Sequence, residues 1–161
     1  MMKIIVISDT HRDFDAMEKI VNDNRSADLF IHLGDGEREY EDVRAVHPEQ
    51  AFLIVRGNND WNDYPITSVV SLEGHRLFLT HGSQYPRESL RDFLSASAKA
   101  NGCDLALYGH THVPFNDTVN GVRLFNPGSP TLPRGRSKPS YGVILLKEDG
   151  TTELWHEEYT D

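Results

Sequence analysis

The chain has 161 residues, 16 Lys and Arg against 25 Asp and Glu, a net charge of −9 and 38% hydrophobic residues. That length predicts one domain over residues 1–161 with a core able to fold unaided, and the lone Cys103 excludes an internal disulfide framework. The acidic balance argues against stable nucleic-acid binding by phosphate neutralisation, and apolar runs of this length exclude a membrane span. Residues 3–7 are continuous and β-branched, which predicts a strand covered on both faces. They run straight into Ser8-Asp9 without a cleavable leader pattern, so a cytoplasmic location is expected. Phe14, Met17, Ile20 and Val21 repeat as on one helix face. Residues 29–33 predict a second buried strand, 37–47 a charged helix, and 52–55 a third strand. Strand, helix, strand, helix, strand implies parallel pairing.

The pattern then changes. Residues 67–72 and 76–80 flank Glu73-Gly74-His75, a hairpin signal. Residues 87–100 predict a helix carrying Leu90, Phe93, Leu94 and Ala98, with Asn101-Gly102 as its stop. A strand over 104–108 follows, then a hairpin through Asn120-Gly121 and a last hairpin joining 141–146 to 152–156. This is an α/β domain, parallel at the start and antiparallel at the finish. Two sheets packed face to face with helices outside accommodate all of it.

The polar residues fall at one kind of place. The central strands of the first two-thirds end in Ser8-Asp9-Thr10-His11, Gly34-Asp35, Gly57-Asn58, Thr80-His81-Gly82 and Gly109-His110-Thr111-His112. In such a sheet the strand C-termini share an edge, where ligands bind. Two Asp, one Asn and four His are too many donors for one tetrahedral ion and suit two. Nitrogen and oxygen donors without thiolate favour Mn, Fe, Zn, Co or Ni over Ca or Mg.

The ordered set Asp9-x-His11, Gly34-Asp35, Gly57-Asn58, His81 and Gly109-His110-x-His112 resembles the calcineurin-like metallophosphoesterase superfamily. With Asn126-Pro127-Gly128-Ser129 and Pro133-Arg134, it is most similar to the small YfcE-like phosphodiesterases. The resemblance implies a four-layer α/β/β/α sandwich of two mixed sheets flanked by helices, with two divalent metals, Mn the favoured one. It assigns Asp9, His11, Asp35 and His112 to one ion and Asp35, Asn58, His81 and His110 to the other, with Asp35 shared. It further implies a small phosphodiester substrate, a hydroxide between the ions as nucleophile, and self-association as a dimer or tetramer. One departure is visible. The superfamily block Gly-Asn-His-Asp/Glu, whose His helps protonate the leaving group, here reads Gly57-Asn58-Asn59-Asp60. Asn59 cannot donate a proton as an imidazolium does, so poor leaving groups are expected to react slowly. Asp60 is either another proton donor or a carboxylate that orients a ligand His.

The remaining polar residues receive plainer readings. His32, inside the second strand, is expected to be a hydrogen-bonded core residue, and His47, His75 and His156 to lie at the surface. Trp61 and Tyr64, just after the third loop, are expected to cap the core, with stacking on a substrate ring as the alternative. Asn126-Pro127-Gly128-Ser129 is a turn that can close the site. Arg134, in the basic run Arg134-Gly135-Arg136-Ser137-Lys138, is a candidate for substrate phosphate or equally a solvated loop residue. Rival functions are a protein-interaction scaffold on the same fold, as in the retromer cargo-sorting subunit, and a phosphomonoesterase or nuclease with the same centre.

Overall fold

Strand β1 (Met2–Ile7) sets the plan of the molecule, because its side chains serve two cores at once. In the computed structural model, which describes Met1–Asp161, Ile4 and Val6 point into a layer between two sheets, while Ile5 and Ile7 point to helices. All four are fully buried, as expected of a strand covered on both faces. The chain continues through α1 (Phe14–Asp23), β2 (Leu29–His32), α2 (Glu37–Val46), β3 (Phe52–Ile54), β4 (Thr67–Leu72) and β5 (His75–Thr80). A 3₁₀ turn (Arg87–Ser89) leads into α3 (Leu90–Ala100), followed by β6 (Leu105–Leu107), β7 (Phe115–Val119), β8 (Val122–Asn126), β9 (Ser140–Leu146) and β10 (Thr152–Glu158).

The strands form two five-stranded sheets, ordered β10-β9-β1-β2-β3 and β4-β5-β6-β8-β7. β1, β2 and β3 pair in parallel, and β9 and β10 add antiparallel on the other side. The second sheet is less antiparallel than the hairpin signals suggested. β7 and β8 do form a hairpin, but β8 then pairs in parallel with β6, which itself pairs in parallel with β5. Both sheets therefore have a parallel centre. Leu77, Leu79, Leu105, Leu107 and Phe125 of the second sheet meet Ile4, Val6, Leu29 and Ile31 of the first. Outside them, Met17, Ile20, Tyr40 and Val43 of α1 and α2 cover the first sheet, and Leu90, Leu94 and Ala98 of α3 cover the second. This is the α/β/β/α sandwich. Each fully buried aliphatic side chain contributes about 1.5–3 kcal/mol, so the sheet-to-sheet layer is a stiff spacer between the strand ends.

The turns follow the residues supplied. Glu73-Gly74 and Asn120-Gly121 both hold left-handed φ at each central position, +49° and +80°, then +50° and +83°. That is the hairpin turn whose twist matches its strands. Three surface assignments are corrected. His75 begins β5 instead of standing in the turn, and is buried beside Asp104 at 3.1 Å. His47 is buried between Glu18 and Glu49, and His156 stacks on Phe125 at 4.6 Å while donating from Nε2 to the Asn126 carbonyl. Trp61 caps nothing: it is 85% exposed. Tyr64 does pack on the first core, against Tyr40. No helix is long and apolar enough to cross a membrane.

Candidate metal centre

The loops that leave β1, β2, β3, β5 and β6 meet at one edge of the sandwich and bring seven donor residues together. Asp9 is fully buried, and Asp35, His81 and His112 are buried; His11 and His110 are half-buried, and Asn58 is exposed. His112 Nε2 lies 3.2 Å and His11 Nε2 3.6 Å from Asp9 Oδ1. His81 Nε2 lies 3.3 Å from Asp35 Oδ2, 3.9 Å from Asp9 Oδ1 and 3.0 Å from Asn58 Oδ1. Two groups of three could each hold an ion, Asp9-His11-His112 and Asp9-Asp35-His81. Asp9 is common to both groups. Asp35 Oδ2 also faces both sides, since it lies 3.8 Å from His11 Nε2 as well. His110 stacks edge-on against His81, ring centres 5.1 Å apart.

Hydrogen bonds behind the cluster decide which atoms face it. His81 donates from Nδ1 to the Leu33 carbonyl at 2.7 Å, and His112 donates from Nδ1 to the Leu132 carbonyl at 2.6 Å. With Nδ1 so engaged, each ring turns its Nε2 to the centre. His112 Nε2 and His11 Nε2 stand 3.1 Å apart. Asp9 Oδ2 accepts from Ser8 Oγ at 2.6 Å and from the His110 N–H at 3.0 Å, but Asp9 Oδ1 is buried without a hydrogen-bond donor. A buried carboxylate oxygen among imidazole lone pairs is costly unless a cation joins them. The donor set therefore fits divalent metal, and its nitrogen and oxygen character fits a transition ion.

Charge tells the same story. Burial alone would raise the Asp9 carboxyl, yet His11, His112 and His81 hold it far below the ordinary carboxylate range. Burial likewise opposes ionisation of Asp35, but His81 and the Asn59 N–H groups bring it down to about 2. His81 is pushed up despite its burial, chiefly by Asp35, whereas burial and the neighbouring His81 push His110 down. The site is built to hold carboxylates ionised in a dry crevice, where positive charge must be supplied.

Backbone strain is concentrated here. Asp9, His11, Asp35, His110 and His112 all hold left-handed φ, between +42° and +69°. A non-glycine residue in that region costs about 1–3 kcal/mol, and such strain collects at functional sites. Close approach is also built in: a Cβ on Gly57 would meet Asp35 Oδ1 at 2.2 Å, so the loop after β3 can lie against Asp35 only with glycine there.

The structure assigns Asp60 neither of its expected roles. Its carboxylate accepts four backbone N–H groups, from Asp35 (2.8 Å), Gly57 (2.7 Å), Gly36 (3.1 Å) and Glu37 (3.2 Å). It caps α2 from another loop and fixes the backbone of Asp35, and it hydrogen-bonds no imidazole. Asn59 donates its N–H and its Nδ2 to Asp35 at 2.8 and 2.9 Å. The Asn126–Ser129 turn does close the site. Ser129 Oγ donates to the Asp9 carbonyl at 2.8 Å, and Asn126 Nδ2 to that of Gly109 at 3.0 Å. Arg134 donates its backbone N–H to the His112 carbonyl at 3.1 Å, with its side chain exposed. His32 is buried as expected: it donates from Nε2 to Thr10 Oγ1 at 2.9 Å and accepts the Gly34 N–H on Nδ1 at 3.1 Å. Sequence reasoning passed over Ser8, Thr131 and Glu39. Ser8 and Thr131 brace Asp9, and only the neighbour relation of Ser8 to Asp9 could have suggested it.

Comparison with known proteins agrees with this geometry. The calcineurin-like phosphoesterase superfamily domain matches residues 2–149. A protein of Mycoplasma genitalium named "Probable metallophosphoesterase" is 32% identical over 158 residues, covering 96% of this chain and 93% of that protein. The phosphodiesterase YfcE of Escherichia coli K12 is 32% identical over 168 residues, covering 89% and 88%. A crystal structure from Streptococcus pneumoniae TIGR4, described as a predicted phosphoesterase, superposes with a TM-score of 0.78 at 26% identity, covering 97% of this chain and 98% of that one.

Proposed function

This chain belongs to the calcineurin-like phosphoesterase superfamily, and from that premise we propose that it is a metal-dependent phosphodiesterase acting on small phosphodiesters. The observation that carries the reading is the orphaned Asp9 Oδ1, enclosed by His11, His81 and His112 with Asp35 on the far side. Asp9, His11, Asp35 and His112 would hold one divalent ion and Asp35, Asn58, His81 and His110 a second, with Mn²⁺ favoured. Bound there, such ions supply an activated water for in-line attack on phosphorus and offset the charge that develops on its oxygens. The residues do the rest. The Leu33 and Leu132 carbonyls hold His81 and His112 in the tautomer that binds, and Ser8 and the His110 N–H fix the Asp9 carboxylate. Asp60, its carboxylate met by four amides, keeps the loops after β2 and β3 in register. Arg134, on the loop whose backbone bonds to His112, would meet a phosphate oxygen. A complete donor set argues for an enzyme over a scaffold.

Leaving-group protonation is where this chain differs. Asn59 stands where the superfamily block has His, and loss of a positioned acid typically costs about 10²–10⁴-fold. Diesters of p-nitrophenol should therefore turn over far faster than dialkyl esters. The direct test is a metal-titrated assay on paired chromogenic mono- and diesters. Hydrolysis that needs added metal and prefers the diester supports the reading, and metal-independent hydrolysis overturns it. Asn59→His should raise turnover on poor leaving groups; no gain would mean that another group supplies the proton.

A further inference from the structure

Beside the donor cluster the surface opens into a cleft of about 640 Å³, a size suited to a small-molecule site. It shares His11 and Asp35 with the centre and extends over Arg12, Arg38, Glu39 and Trp61. Three of its features have no part in the chemistry above. Trp61 is 85% exposed, although indole is among the most apolar side chains. Its backbone is nevertheless pinned, because the N–H groups of Trp61 and Asn62 both donate to Glu37 Oε2, at 2.7 and 2.6 Å. Glu39 is 2% exposed; its Oε2 accepts the Arg12 N–H at 2.6 Å, while its Oε1 is buried and has no partner. A buried acceptor left unpaired is unfavourable and marks a place where a ligand can donate. Arg12 and Arg38 add two guanidinium groups to an otherwise acidic rim.

We propose that this cleft receives the organic half of the phosphodiester and that this half is a nucleoside; the proposal rests on the phosphodiesterase reading. A flat ring that also carries an N–H meets both demands at once: its face lies on Trp61, and its N–H donates to Glu39 Oε1. Carboxylates read the N–H edges of bases in this way, and indoles stack on their faces. Arg12 and Arg38, which line the same cleft, supply positive charge for the phosphate. An alkyl half would use neither Trp61 nor Glu39, so these two are specificity-determining residues.

Two measurements test this. The first compares thymidine 5′-(p-nitrophenyl) phosphate with methyl p-nitrophenyl phosphate, which share a leaving group. Trp61→Ala should lower the ratio of their kcat/KM values about tenfold, mainly through KM of the thymidine ester. An unchanged ratio with both esters hydrolysed overturns the cleft assignment and leaves the phosphodiesterase reading standing. If wild type hydrolyses neither ester with any divalent metal, that reading fails instead. The second measurement is independent of turnover. In a Trp155→Phe background Trp61 is the sole indole. Thymidine 5′-monophosphate should quench its emission saturably, ribose 5-phosphate should not, and Glu39→Gln should weaken the quench about tenfold. Equal quenching by both phosphates, or none, overturns the proposal.

Discussion

The two sheets contribute different chemistry to the same edge. The first, through the loops after β1, β2 and β3, supplies Asp9, Asp35 and Asn58, all the oxygen donors, together with His11. The second, through the loops after β5 and β6, supplies only imidazoles: His81, His110 and His112. Neither could hold a transition ion well alone. Two carboxylates confined in one crevice repel, and imidazoles without a counter-charge bind divalent cations more weakly. The centre is a property of the seam. Cross-bracing supports this, since His81 of the second sheet donates to the Leu33 carbonyl of the first and the His110 N–H donates to Asp9. The apolar layer between the sheets sets the separation at which such donors can meet.

If the centre belongs to the seam, removing a donor from either side should be equally damaging. Asp35→Ala, from the first sheet, and His81→Ala, from the second, should each reduce metal-stimulated hydrolysis to the level of the metal-free protein. Retention of metal dependence in one of them would mean that a single sheet suffices, and the comparison would break. A smaller effect is expected behind the site. Asp60→Ala removes the acceptor of four amides, and leaving a buried donor unpaired typically costs about 1–3 kcal/mol. Urea denaturation should report that loss before any metal is added. Metal itself should join the sheets: at about a hundred times its Kd a ligand adds about 2.7 kcal/mol of stability. Mn²⁺ should therefore raise the melting temperature over a chelated sample, and His112→Ala should remove much of that rise.

How much of this could be read from the residues depends on the kind of signal. Strand and helix positions were legible because periodicity and punctuation agreed: Ile4 to Ile7 alternate between two cores, and Asn120-Gly121 turns as such a pair must. The convergence of Asp9, His11, Asp35, His81 and His112 was legible because each follows a strand of a parallel run, and parallel strands collect their ends at one edge. The parallel pairing of β6 with β8 was not, since a hairpin signal fixes only its own two strands. Nor was the role of Asp60, because four amides from the loops after β2 and β3 converge on it only in the folded chain. The exposure of Trp61 ran against its hydrophobicity; the carboxylate of Glu37 holds its backbone out at the surface. The left-handed φ of five donors leaves only a faint mark in sequence: none is glycine, although Asp and His enter that region more often than most side chains.

Two imidazoles beside this centre differ in their preference for a proton, which gives the finest test of the contrast between the sheets. His81, from the second sheet, is raised above 6.5 because Asp35 and Asp9 outweigh its burial. His32, inside the first sheet, is lowered below 6.5 because burial outweighs the carboxylates around it. Its neutral ring must keep Nδ1 unprotonated to accept the Gly34 N–H. The sign of the linkage follows. Below pH 6.5 the unfolded chain takes a proton at residue 32 before the folded chain does, so stability due to His32 is complete above that pH. It falls on acidification by about 1.4 kcal/mol per pH unit until the folded ring also protonates. His81 works in the opposite sense: its contribution is complete below 6.5 and is lost as pH rises through its folded value. Urea midpoints of the chelated wild type and of His32→Gln, taken at pH 8 and pH 5.5, separate the two, because His81 is common to both proteins. The advantage of wild type over His32→Gln should shrink at the lower pH. A gap that holds or widens would mean that an imidazolium is tolerated between Thr10 and Gly34, and that the loops after β1 and β2 are not joined through a neutral ring.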